Sequence, residues 1–266
     1  MKSFFPKSLK TNEKVCFKTM DQAVYDEQGV PLSNRINYKH LKMGILGDGI
    51  VSGAYIDNAE LTYANLLKKN FYSVDNKGIG GSTLTKLSGR PDNKVLSLIY
   101  TELAEDLDVI LVAFTSSDWS TNAPMGEDNS TDISTFKGAM NVLATGLLNR
   151  YYDKDIIFIT PLQLNSVLSM PNNDGVPTPS NMPNAEGLIL KDYADAIKEY
   201  AMNHSIPVID LFATSGLDFV YNDTHKEFLS VDTVAEGTGM AAGVHPNYLG
   251  HEKLYRRVLR GIQSYV

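Results

Sequence analysis

Four short clusters carry the residue types that could do chemistry: ILGDGIVSG (45–53), KGIGGST (77–83), AFTSSDW (113–119) and GVHPNYLG (243–250). His245 is the natural proton acceptor among them, since imidazole changes charge near neutral pH. Ser52, Ser82, Ser116 and Ser117 are the hydroxyls that could give it a proton and attack an acyl carbonyl. Asp48 and Asp118 carry carboxylates suited to binding backbone amides in turns. Together with His245 they could also ligate a metal, but no short ligand spacing supports this, so no metal site is expected. Gly44, Gly47 and Gly49 give G-x-x-G-x-G, which is not the dinucleotide fingerprint. No cofactor is expected.

The elements between these clusters alternate. KMGILG (42–47) is a short apolar run ending in a glycine turn. VILVAF (109–114) and IIFIT (156–160) are continuous apolar runs, as in strands buried on both faces. FYSVD (71–75) and PVIDLF (207–212) complete five strands. Helices are expected over 60–69, 94–105, 134–150 and 186–203, and at the C-terminus through Leu254, Val258 and Ile262. Strand and helix alternating five times imply an α/β/α sandwich around a parallel five-stranded sheet. Ligands of such sheets bind outside the carboxyl ends of the strands. The four clusters follow strands or precede the last helix, so they fall there. Segment 163–184 holds four prolines without a regular period and reads as a long loop. Residues 1–40 lack a helical period and read as an arm or linker, with 41–266 as the main domain.

Composition excludes several classes. The 266-residue chain has 43% hydrophobic and 21% charged residues, ordinary for a globular protein. Its 24 basic and 31 acidic residues give a net charge of −7, which argues against a nucleic-acid partner. Cys16 is the single cysteine, so no disulfide forms within the chain. No apolar run approaches the ~20 residues of a membrane span, and the N-terminus lacks the pattern of a secretory signal.

In order and placement, the four clusters resemble the blocks of the SGNH, or GDSL, hydrolases. That resemblance covers the chain from about Lys42 onward and implies a flavodoxin-like fold. In that family a Ser after Gly-Asp attacks an ester, a His accepts its proton, an Asp orients the His, and amides with an Asn hold the oxyanion. The resemblance puts Gly49 at the nucleophile position, Ser117 at the oxyanion Asn and Ala242 at the triad acid. His245 remains, and Gly81 keeps its amide. Asp232 and Glu236 are the acids that could replace the one lost at Ala242. The resemblance therefore implies a degenerate hydrolase engaged in binding or structural work. Its variant motifs are similar to SGNH domains of phage tail or baseplate proteins, which implies a virion or extracellular location and a cell-surface carbohydrate ligand. Trp119, with Tyr55 and Tyr72, could stack a sugar, and residues 1–40 could hold other virion or self subunits. The alternative is an active carbohydrate acyl esterase using a relocated serine.

Overall fold

The computed structural model describes residues 38–54, 56–163, 181–217 and 245–266. It also describes the backbone of two short antiparallel pairs, Cys16–Phe17 with Val24–Tyr25 and Met170–Pro171 with Pro177–Thr178. The main sheet has five strands: β1 (Lys42–Gly47), β2 (Ser73–Gly78), β3 (Val109–Ala113), β4 (Asp155–Ile159) and β5 (Val208–Ile209). They are all parallel, in the order β2-β1-β3-β4-β5. This is the flavodoxin-like order, with its reversal between β1 and β3.

The strand side chains divide between two cores, as period-two alternation requires. Ile110, Val112 and Phe158 face one helical layer, α5 (Phe136–Arg150) and α6 (Leu190–Asn203), through Phe136, Met140, Leu143, Tyr193 and Ile197. Val109, Leu111, Ile157 and Ile159 face the other, packing with Tyr63 and Leu67 and with Leu254, Val258 and Ile262 of α8 (Tyr248–Ile262). The three-layer sandwich read from the sequence is therefore present. No described helix is long and apolar enough to cross a membrane.

Two expected helices are broken, each for a local reason. In 60–69 the chain runs as a 3-10 turn, Ala59–Leu61, then α2 (Tyr63–Leu66), then a second 3-10 turn, Leu67–Lys69. Thr62 interrupts it by turning extended (ψ 148°) so that its hydroxyl caps the Asn65 amide. In 94–105 only α3 (Leu96–Ile99) is α-helical. Val95 is extended because it bridges Thr83 in parallel, and Leu103 returns to extended backbone (ψ 146°). The second strand starts two residues later than expected and runs to Gly78. The last strand is shorter than 207–212 because Asp210 caps α7 (Leu211–Thr214), accepting from the Ala213 amide at 3.1 Å.

The proposed arm, residues 1–40, lies outside the described residues up to position 37, apart from its two short strands. Its end is packed on the domain. Tyr38 is buried and stacks on Phe71 at 5.1 Å, and Lys39 donates to the Lys68 and Phe71 carbonyls.

Candidate functional site

The sequence after β1 builds a one-turn helix, α1 (Gly49–Ser52). Asp48 is its N-cap, its carboxylate accepting from the Ile50 amide at 2.9 Å. Gly53 closes it in the left-handed region (φ 87°), where an L side chain is disfavoured and would also strike Thr62. Three strand-end turns are then stitched together. Ser82 Oγ donates to the Gly47 carbonyl at 3.1 Å, and Thr115 Oγ1 donates to the Ser82 carbonyl at 3.5 Å. Thr115 Oγ1 in turn accepts from the Ser117 amide, which opens α4 (Ser117–Ser120).

Gly49 lies at the centre of this arrangement. A β-carbon placed on it would stand 3.6 Å from His245 Nε2, 3.6 Å from the Gly80 Cα and 3.0 Å from the Ala54 Cβ. The fold thus brings His245 to position 49 across nearly two hundred residues. His245 is half-buried and precedes Pro246 and Asn247, the N-cap of α8, which accepts from the Gly250 amide at 3.1 Å. Gly81 stands at the exposed turn after β2 with φ 72°, its carbonyl held by the Arg90 guanidinium. Among the described residues its N–H bonds no backbone carbonyl.

The candidate serines have different surroundings. Ser52 Oγ donates to the Gly49 carbonyl at 3.2 Å, and Ser82 is fully buried with its hydroxyl on Gly47. Ser116 lines a cavity of about 30 Å³, enough for one water, together with Asp48, Tyr63, Thr115, Thr160 and apolar neighbours. Ser117 heads α4, its carbonyl accepting from the Ser120 and Thr121 hydroxyls.

Asp118 and Trp119 are buried away from any open face. Asp118 accepts from the Leu84 amide (2.8 Å), the Thr85 amide (3.0 Å) and the Thr85 hydroxyl (2.7 Å). Trp119 is 1% exposed and belongs to the α5–α6 core, which corrects the expectation that it walls a pocket. An indole so placed gains more by filling that core than by meeting solvent. Tyr72 is 69% exposed, but it precedes β2 and so lies at the opposite end of the sheet from the site. Tyr55, Ala242, Asp232 and Glu236 lie outside the described residues. The described residues contain no group of three His, Cys, Asp or Glu able to hold a metal.

Burial perturbs two groups here. Asp48, half-buried against the cavity, has its carboxyl pushed by desolvation up to about 6, against the pull of its backbone donors. His251, one turn into α8, is a residue that no motif marks. It is fully buried, stacks on Tyr63 and accepts the Tyr63 amide on Nδ1 at 3.2 Å. That bond fixes the proton on Nε2, which has no partner. Desolvation, and secondarily a charge on His245, lower His251 to about 4. Only its position in an apolar stripe of α8 could have drawn attention to it from sequence.

An open parallel sheet, with a histidine facing a capped glycine turn beside the β1–β3 reversal, defines an α/β protein with a flavodoxin-like sheet. The model of the GDSL-like Lipase/Acylhydrolase family matches residues 45–253, and the chain belongs to that family. Solved structures agree on the fold. A protein from Lactobacillus plantarum is 22% identical, with a TM-score of 0.68 over 85% of this chain and 98% of its own. A protein described as a possible lipase, from Chitinophaga pinensis, is 17% identical, with a TM-score of 0.60 over 84% and 98%. An α/β hydrolase from the metagenome of Lake Arreo is 17% identical, with a TM-score of 0.53 over 84% and 96%. No curated protein sequence matches the chain.

Proposed function

We propose that this protein is a non-acylating member of the family, using the inherited site and surface for binding or assembly. The observation that carries the reading is the glycine at 49. From a Cβ 3.6 Å from His245 Nε2, a serine hydroxyl would reach the imidazole within the ~2.6–3.2 Å of a nucleophile–base pair. Glycine offers nothing to attack with, and losing a triad nucleophile removes most of the rate. The Ser52 and Ser82 hydroxyls, bound to the Gly49 and Gly47 carbonyls, do not replace it. The chain's likeness to phage tail or baseplate domains, and a cell-surface carbohydrate as ligand, belong to the same proposal. They rest on the sequence motifs, since neither Trp119 nor Tyr72 supplies a sugar-stacking wall at this site.

The test is hydrolysis of a short-chain acyl ester, together with labelling by an alkyl fluorophosphonate. Wild type, His245→Ala and Gly49→Ser are compared. The expected result is that wild type and His245→Ala are equally inactive and unlabelled, while Gly49→Ser becomes labelled and loses labelling when His245 is also removed. Wild-type turnover abolished by His245→Ala would overturn the proposal. The active-esterase reading would then stand, and Ser116→Ala, at the cavity beside Asp48, would be the first variant to locate the nucleophile.

A further inference from the structure

The C-terminal helix carries four cations in eight residues, Lys253, Arg256, Arg257 and Arg260, on a chain whose net charge is −7. Lys253, Arg257 and Arg260 fall at i, i+4 and i+7, so they share one face of α8, where like charges repel. Glu252 is committed to Arg256. Among the described residues, the guanidiniums of Arg257 and Arg260 have neither an ion pair nor a hydrogen-bond acceptor. Arg257 and Arg260 are both exposed and one helical turn apart, and an anion held between them would relieve their mutual repulsion.

These two arginines line a cavity of about 270 Å³ beside the edge strand β5, with Val208, Asp210, Thr214, Ser264 and Tyr265. Neither His245 nor Gly49 is among its lining residues. Gly216 keeps room for Arg257: in the left-handed region (φ 69°), its missing β-carbon would come 3.1 Å from the guanidinium. The hydroxyls around the cavity have their hydrogens committed. Thr214 donates to the Asp210 carbonyl, Ser264 to Arg260 and Tyr265 to Val208. The carboxylate of Asp210 is occupied by Thr160, Ala213 and Lys198. The donors left for a ligand are therefore the two guanidinium forks, each shaped to grip two oxygens.

We propose that this cavity binds a tetrahedral oxyanion, a phosphate or phosphate-monoester group, between Arg257 and Arg260. A carboxylate has only two oxygens and satisfies one fork. A phosphate has enough to take both.

The experiment is calorimetric titration of the full chain with inorganic phosphate, with sodium chloride of matched ionic strength and malonate in parallel. Saturable binding of phosphate that chloride does not reproduce is expected, weakened by about tenfold or more in Arg257→Gln/Arg260→Gln. Arg257→Lys, which keeps the charge and loses the fork, should fall between the two. His245→Ala should bind phosphate as wild type does. Equal responses to phosphate and chloride would overturn the proposal, as would malonate binding tighter than phosphate. Unchanged affinity in Arg257→Lys and in each single Gln variant would also overturn it, even if the double variant fails to fold.

Discussion

Two aspartates stand at the carboxyl ends of neighbouring strands, Asp48 after β1 and Asp118 after β3. In sequence they look alike, each in a turn rich in glycine or serine. The fold uses them differently. Asp118 is enclosed and takes three hydrogen bonds from the Leu84–Thr85 backbone and the Thr85 hydroxyl, so it locks the β2–α3 connection to the β3 turn. Asp48 has one face on a small cavity and caps a single helical turn. The first is a fastener whose partners are all protein. The second keeps a face for solvent or a ligand, next to the position opposite His245. A strand-end carboxylate is thus a sign of a site only where its oxygens are not all consumed by its own fold.

The largest expected effect separates the two directly. Asp118→Ala leaves two buried amides and a buried hydroxyl without an acceptor. At about 1–3 kcal/mol for each stranded group, and less than additively, it should cost about 3–5 kcal/mol in denaturant unfolding. Asp48→Ala at neutral pH loses one cap bond, worth about 1 kcal/mol, and sheds an unfavourably buried charge, so its net effect should be small. Equal losses in the two variants would break the distinction.

The next effect is a pH dependence in which Asp48 is opposed by His251. His251 falls from 6.5 to about 4 on folding, so the unfolded chain holds its proton between those values and the folded chain does not. Its contribution to stability is full above pH 6.5 and is lost as pH falls toward 4. Asp48 rises from 3.8 to about 6, so the folded chain holds that proton over nearly the same range. Its contribution is full below pH 4 and is lost as pH rises through 6. At 1.36 kcal/mol per pH unit each amounts to about 3 kcal/mol at most, less for Asp48 because of its partial exposure. Near pH 5 the two slopes cancel. Asp48→Asn should expose the histidine, with stability rising by roughly 1 kcal/mol per pH unit from pH 4 to 6.5. His251→Asn, whose amide oxygen can still accept the Tyr63 N–H, should expose the aspartate, with stability falling over pH 4 to 6. Slopes of the same sign in both variants would refute the opposition.

How much of this was legible in the sequence depended on where each residue's constraint came from. The runs at 42–47, 109–114 and 156–160 read correctly as strands, because burial on both faces demands apolar residues whatever surrounds them. The long helices read correctly from their apolar stripes. The segments 60–69 and 94–105 read as helices because their spacing is helical, but the Thr62 cap and the Val95–Thr83 bridge override propensity from a distance. At the site, the pairing of position 49 with His245 came from the resemblance of the motifs to the family and not from periodicity or topology; in the fold a β-carbon at 49 would stand 3.6 Å from His245 Nε2. The interment of Trp119 was not legible, because an indole fits a core and a binding wall equally well. Nor was His251, a lone polar residue in an apolar stripe whose role is set by the Tyr63 amide it meets.

The smallest effect tests the space at position 49 itself. Gly49→Ala adds one methyl at the first position of α1, where the backbone is not in the glycine-only region. Alanine should gain up to about 1 kcal/mol by restricting the unfolded chain. Against this stands the Ala54 methyl at 3.0 Å, which must give by a few tenths of an ångström, whereas His245 and Gly80 at 3.6 Å are ordinary contacts. The two terms nearly balance, and a change in stability within about 0.5 kcal/mol is expected from thermal unfolding. A loss of several kcal/mol would mean that the turn is closed around its glycine. Position 49 would then be a packing site like Gly53, and its approach to His245 would no longer mark the place of a nucleophile.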